Sequence, residues 1–150
     1  MLNNGMYSSK TDLWSTPQDF YDELNREFGF VLDACALQCN AKCKVFFSPD
    51  EDGLRQDWAS VTWCNPPYGR EIGKWVRKAR REAERGNPVV CLLPARTDTR
   101  WFHDYVLGRA EIRFVRGRLK FGGSNNSAPF PSMVAIFRPK NRKGLLENER

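Results

Sequence analysis

Apolar and polar residues alternate along this chain with two periods, and the change from one to the other marks out the elements. Phe20, Leu24 and Phe28 recur at helical spacing, which predicts a helix running to about Phe28. Thr16 is placed to cap it, Pro17 suits its first position, Asp19 favours the positive end of its dipole and Gly29 can end it. A second apolar face, Ile72, Trp75, Val76, Ala79 and Ala83, predicts a helix whose other side carries Lys74, Arg77, Lys78, Arg80, Arg81 and Arg85, with Arg70 just ahead. Gly86-Asn87-Pro88 stops it, and a third, short helix is expected over 101–107, started by Thr97, Asp98 or Thr99.

Short apolar runs between these segments predict buried strands: 30–33 ending at Asp33, 45–47, 61–63 and 89–93. A half-exposed strand is expected over 111–121 and a last one over 133–137. The loop GGSNNSAPFP separates them, with no clear helix between, so they should form an antiparallel edge hairpin. Alternation of strands and helices argues for a single α/β domain, a mostly parallel sheet with helices on both faces. The domain is expected over 13–139, between a flexible N-terminus at 1–12 and a charged tail at 140–150.

Composition narrows the class. At 150 residues the chain is one domain by size, and 28% charged with 41% apolar residues fits a globular protein. No apolar run approaches the roughly 18 residues of a membrane span, and 1–14 has no apolar signal region, so a cytoplasmic protein is expected. A net charge of +6 points to a polyanionic partner, nucleic acid first. Five cysteines suit free thiols better than a disulfide framework. Cys35, Cys39 and Cys43 invite a metal reading, but a zinc site needs four ligands and His103 lies far away. One face of a short helix accounts for them, and no metal is expected.

The chemistry concentrates in WCNPPYGR, at 63–70. In an open α/β sheet, ligands sit beyond the carboxyl ends of the strands, where Asp33 and this stretch both fall. Each proline fixes its own φ, lacks an N–H and pushes the preceding residue out of the helical region. Asn65-Pro66-Pro67-Tyr68 is therefore held extended before any ligand arrives. Its acceptors, the Asn65 side-chain oxygen and the Pro66 carbonyl, suit an –NH2 group, and Tyr68 offers a ring for stacking. Two acceptors gripping both hydrogens of an aromatic amine favour a tetrahedral nitrogen and free its lone pair for attack. Plainer uses exist: a structural turn for the prolines, a helix cap for Asp33, a solvated face for the basic helix.

NPPY after a strand resembles the catalytic motif of amino methyltransferases that use S-adenosyl-L-methionine. Around it, in order, stand WSTP (14–17), LDACA (32–36), NAKC (40–43), DGL (52–54), LPARTDTRW (93–101), GRLKF (117–121) and APFPS (128–132). Together they resemble the small phage-type, Dam-like DNA N6-adenine methyltransferase family, over about 13–139. The resemblance implies a Rossmann-like methyltransferase fold of reduced size. It also implies methyl transfer from S-adenosyl-L-methionine to N6 of an adenine extruded from DNA. Asn65, Pro66, Pro67 and Tyr68 would hold and stack the base. Asp33, Ala34, Cys35 and Ala36 would form the cofactor turn, with Thr16 and Pro17 beside the cofactor's amino-acid end. Asp57 and Trp58 would match the pair that contacts the cofactor adenine. Arg70, Lys74, Arg96, Arg100, Arg118 and Lys120 are the candidate DNA contacts.

The chain departs from the wider methyltransferase pattern in two ways. LDACA replaces the usual glycine-rich turn, and 34–64 is short for two full strand–helix units, so the ribose-binding acid is not identified, with Asp50 and Asp52 no more than candidates. NPPY also occurs in enzymes acting on cytosine N4, ribosomal RNA guanine or protein glutamine, and an inactive DNA-binding module would show the same missing glycines. No separate recognition domain fits in this length, and a phage-like origin would put the enzyme in a bacterial host's cytoplasm.

Overall fold

The computed structural model describes residues 14–123 and 126–140; the N-terminus expected at 1–12, and the tail expected at 140–150 beyond its first residue, lie outside them. Six strands form one sheet: β1 (Leu32–Asp33), β2 (Val45–Phe46), β3 (Thr62–Cys64), β4 (Val89–Pro94), β5 (Glu111–Phe114) and β6 (Ser132–Phe137). Their order is β2-β1-β3-β4-β6-β5. The pairs β2–β1, β1–β3 and β3–β4 are parallel, while β6 runs antiparallel to β4 and to β5. The expected antiparallel hairpin at one edge is therefore present, with β5 outermost. The architecture is a mixed α/β single domain with few helices.

β4 lies between β3 and β6 and its residues Val89 to Leu93 have no exposed surface, which explains its unbroken apolar run. Register sets the faces. Asp33, Trp63, Val90 and Ile136 are neighbours across four strands, and Cys64, Cys91 and Ala135 form the next row, on the opposite face. Helix α1 (Gln18–Phe28) meets the first face, where Tyr21 packs edge-on against Trp63 with ring centroids 5.4 Å apart. Helix α2 (Ile72–Glu84) buries Ile72, Trp75, Val76, Ala79 and Ala83, as its spacing predicts, and Ala83 shares a hollow with Phe137. Each large apolar side chain fully buried this way contributes roughly 1.5–3 kcal/mol.

Four expectations need correction. Thr16 does not cap α1: Pro17 occupies the cap position with its carbonyl accepting from Tyr21 N at 3.1 Å, and Thr16 is buried for another use. Gly29 ends the helix as expected, at φ +66°. The segment carrying Cys35, Cys39 and Cys43 is not helical. Side chains capture its backbone instead: Asp33 accepts from Cys35 N and Lys42 N, and Asn40 Oδ1 accepts from Leu37 N. The segment at 101–107 forms a π-helical turn, Phe102–Val106, closed by Leu107 N donating to Phe102 O at 2.8 Å. β5 stops at Phe114, and the chain turns at Gly117 with φ +74°.

Candidate active site

The carboxyl ends of β1 and β3 meet over one small hollow of about 30 Å³, room for one or two waters. Trp14, Ser15, Thr16, Asp33, Asn65 and Pro66 line it, together with the turn at Cys35 to Leu37. The structure thus brings the strand-end acid, the turn behind it, the residues before α1 and the head of NPPY into one place.

Asn65 is the most constrained of these. Its Nδ2 donates to the Trp14 carbonyl and, at 2.9 Å, to Thr16 Oγ1. Both amide hydrogens are spoken for, so the amide cannot turn over without losing both bonds. Its Oδ1 is buried and has no partner. A buried acceptor left unmade costs about 1–3 kcal/mol, and a native fold retains one where a ligand group completes it.

Asp33 is 2% exposed, with Oδ1 accepting from Cys35 N at 3.3 Å and Oδ2 from Lys42 N at 2.9 Å. Burial pushes its carboxyl up to about 6, against the pull of those two N–H groups and of the Lys42 charge. The carboxylate is thus short of a close cation. Ala34 and Ala36 are buried in the same turn, and Ala34 presses against Gly53. A Cβ on Gly53 would stand 2.2 Å from the Ala34 carbonyl oxygen, so only glycine permits this approach. Asp52, ahead of it at φ +55°, spends Oδ1 on Leu54 N.

Tyr68 is buried, and its hydroxyl donates to the Leu92 carbonyl at 2.9 Å. Burial pushes its phenol well up. Its ring meets Phe121 and Phe130 edge-on, and both of those meet Trp14. Sequence reasoning missed Phe130 as a partner of Tyr68 and Trp14 as a partner of Asn65; the proline on each side of Phe130 was the available signal. Trp14 joins the two halves of the site, since its carbonyl holds Asn65 and its ring covers the aromatic cluster. Arg96 lies over the Phe130 ring, 5.9 Å from its centre, and Arg118 Nη1 donates to the Ala128 carbonyl at 3.2 Å. Arg100 and Lys120 are exposed nearby in sequence, Arg70 is exposed after NPPY, and Lys74 pairs with Glu71.

Asp57 and Trp58 are not brought to the hollow. Trp58 is fully buried against Trp75, its indole N–H donating to the Gly53 carbonyl, and Asp57 pairs with Arg85 beyond the far end of α2. Glu82, absent from the apolar pattern, proves to be 1% exposed and holds Trp58 N and Lys78. Cys64 and Cys91 are buried neighbours in register, and burial pushes the Cys64 thiol well up. Among the described residues, no three potential ligands cluster as a metal site.

An acid at the end of one parallel strand and a fixed amide acceptor at the end of the next, in a mixed α/β domain, are compatible with a methyltransferase-like fold. A family model described as DNA N-6-adenine-methyltransferase (Dam) matches residues 4–148. The chain is 30% identical to the DNA N-6-adenine-methyltransferase of Haemophilus phage HP1, over 99% of this chain and 91% of that protein. It is 36% identical to the DNA N-6-adenine-methyltransferase of Escherichia phage T1, over 72% of this chain and 46% of that protein. The chain belongs to the DNA N-6-adenine-methyltransferase family and is an enzyme of that class.

Proposed function

We propose that this enzyme uses S-adenosyl-L-methionine to methylate N6 of an adenine extruded from duplex DNA. The observation that carries the reading is the buried, unpartnered Asn65 Oδ1, fixed by two bonds on the other side of its amide. An exocyclic amine supplies the donor it lacks. The Pro66 carbonyl takes the second amine hydrogen, held in place by the paired prolines. With both hydrogens gripped, the nitrogen lone pair is freed for in-line attack. The cofactor, when bound, would supply an electrophilic sulfonium methyl to that lone pair and keep the C–S electron pair, while Asn65 and Pro66 would hold the amine until its proton passes to solvent.

Asp33 has the chemistry to hold the cofactor's cationic amino group, because its buried carboxylate wants a positive partner. The hollow takes only that polar end, beside Thr16 and against Cys35 and Ala36, with Pro17 next in the chain at the cap of α1. Tyr68 and Pro67 wall the base, which requires Phe121 and Phe130 to give way from the Tyr68 ring. Arg70, Lys74, Arg96, Arg100, Arg118 and Lys120 contact phosphates around the opening. The opposite faces met by α1 and α2 support a Rossmann-like layering. No helix among the described residues is long and apolar enough to cross a membrane, and work on DNA supports a bacterial cytoplasm as the site of action.

The test is mass-spectrometric counting of N6-methyladenine in DNA after expression. Wild-type protein raises it, and Asn65→Ala abolishes the rise while cofactor binding and melting temperature stay near wild type. Undiminished methylation by Asn65→Ala sinks the proposal.

A further inference from the structure

Helix α2 begins four residues after Tyr68, so its axis leads away from the NPPY turn. Its exposed side carries Lys74, Arg77 and Arg81, spaced three and four apart, with exposed Arg70 at their head. These positions stack one above the other along a single line of the helix. Beside them lies a hollow of about 200 Å³ whose lining residues are Leu54, Lys74, Arg77, Lys78 and Arg81, one apolar residue and four cations.

A solvated basic face ordinarily interleaves acids at three- and four-residue spacing. The flank of α2 does this, with Lys78 on Glu82 and Arg80 on Glu84. The line does not. Arg77 has Lys74 three residues before it and Arg81 four after, and among the described residues neither arginine has an ion pair. Like charges so placed cost the helix a few tenths of a kcal/mol per pair. Lys74 pairs only with Glu71, at the surface, a bond of the kind worth about 0–1 kcal/mol and readily exchanged. Lys74 to Arg81 spans about 10 Å of helix axis. One DNA strand presents a phosphate about every 3.4 Å of its own axis, so the line matches a short run of backbone.

We propose that Lys74, Arg77 and Arg81, headed by Arg70, form a track for the phosphate backbone of the duplex flanking the target base. This rests on the reading that the enzyme works on DNA, and adds a contact surface beyond the rim of the site. The track gives the enzyme a way to hold duplex DNA without reading its sequence.

The experiment is fluorescence anisotropy of a labelled duplex of about 20 base pairs, titrated with the full chain between about 50 and 200 mM salt. In Arg77→Ala/Arg81→Ala the slope of log affinity against log salt falls by about 1.8, so the affinity spread across that range narrows about tenfold. Both side chains are exposed, so the variant folds, and Arg77→Lys/Arg81→Lys keeps the wild-type slope. A wild-type slope in the alanine variant overturns the track. Methyl transfer is read separately: the alanine variant raises KM for DNA and leaves kcat unchanged. A slope that falls by about 1.8 in the alanine variant, together with wild-type protein that methylates no adenine, upholds the track and sinks the functional reading.

Discussion

Thr16 Oγ1 accepts a 2.9 Å hydrogen bond from Asn65 Nδ2, across 49 residues of chain. A residue placed to cap a helix instead fixes which way the Asn65 amide faces. Thr16→Val keeps the shape and removes the acceptor, leaving the Trp14 carbonyl as the amide's remaining anchor. A lost hydrogen bond of this kind costs about 1 kcal/mol, so kcat for methyl transfer falls roughly five- to tenfold. Thr16→Ser restores it. A valine variant with wild-type kcat removes the positioning role.

Asp33 gives the site a pH dependence. Burial raises its carboxyl from an ordinary 3.8 to about 6, so the folded state binds this proton more tightly than the unfolded one. The sign follows: the stability it confers is fully present below about 3.8 and is lost as pH rises through about 6, amounting to about 3 kcal/mol. A cationic cofactor reverses the preference, since it binds the ionised form. Calorimetry should find cofactor affinity rising with pH up to about 6 and level above it. Asp33→Asn flattens the profile and weakens binding, because its NH2 meets one of the two N–H groups the carboxylate now accepts from. A pH-independent affinity in the wild type would falsify the assignment.

The strands and helices were legible where burial is one-sided and repeated, or unbroken over a whole strand. Ile72, Trp75, Val76, Ala79 and Ala83 announce α2, and the apolar run after Pro88 announces β4. The loop after β1 was not legible, since its order comes from Asp33 and Asn40 capturing backbone N–H groups, which leaves no period in the sequence. For the site, the prolines exposed Asn65 and the strand end exposed Asp33. The long-range partners, Trp14 and Thr16 on Asn65 and Phe130 on Tyr68, depend on tertiary contacts that no local spacing encodes. Trp58 misled because an acid–aromatic pair looks the same in sequence whether it faces a ligand or the core.

Glu82 makes the second buried acid a stability element with no part in the chemistry. Oε1 accepts from Trp58 N at 3.1 Å and Oε2 pairs with Lys78 at 2.9 Å. Glu82→Ala strands a buried N–H and leaves Lys78 unpaired, at a cost of about 3 kcal/mol. For a chain of this size that lowers the melting temperature by roughly 6–12 °C. Well below the transition, kcat and the KM for DNA should match wild type. Glu82→Gln, which keeps an acceptor for Trp58 N, falls between the two.

Gly53 links packing to the turn that carries Asp33. Any side chain there meets the Ala34 carbonyl oxygen at 2.2 Å and Trp75 Cζ3 at 3.0 Å. The ring is packed on Trp58 and cannot retreat, so the turn carrying Asp33 must shift. Gly53→Ala therefore costs about 1–3 kcal/mol of stability and also weakens cofactor binding measured by calorimetry. Gly29→Ala is the control. It strains a left-handed helix end at φ +66° with nothing within 4 Å, so it lowers the melting temperature by a comparable few degrees and leaves cofactor affinity alone. If both variants lose stability and neither loses cofactor affinity, Gly53 serves the core only, and the Asp33 turn tolerates displacement.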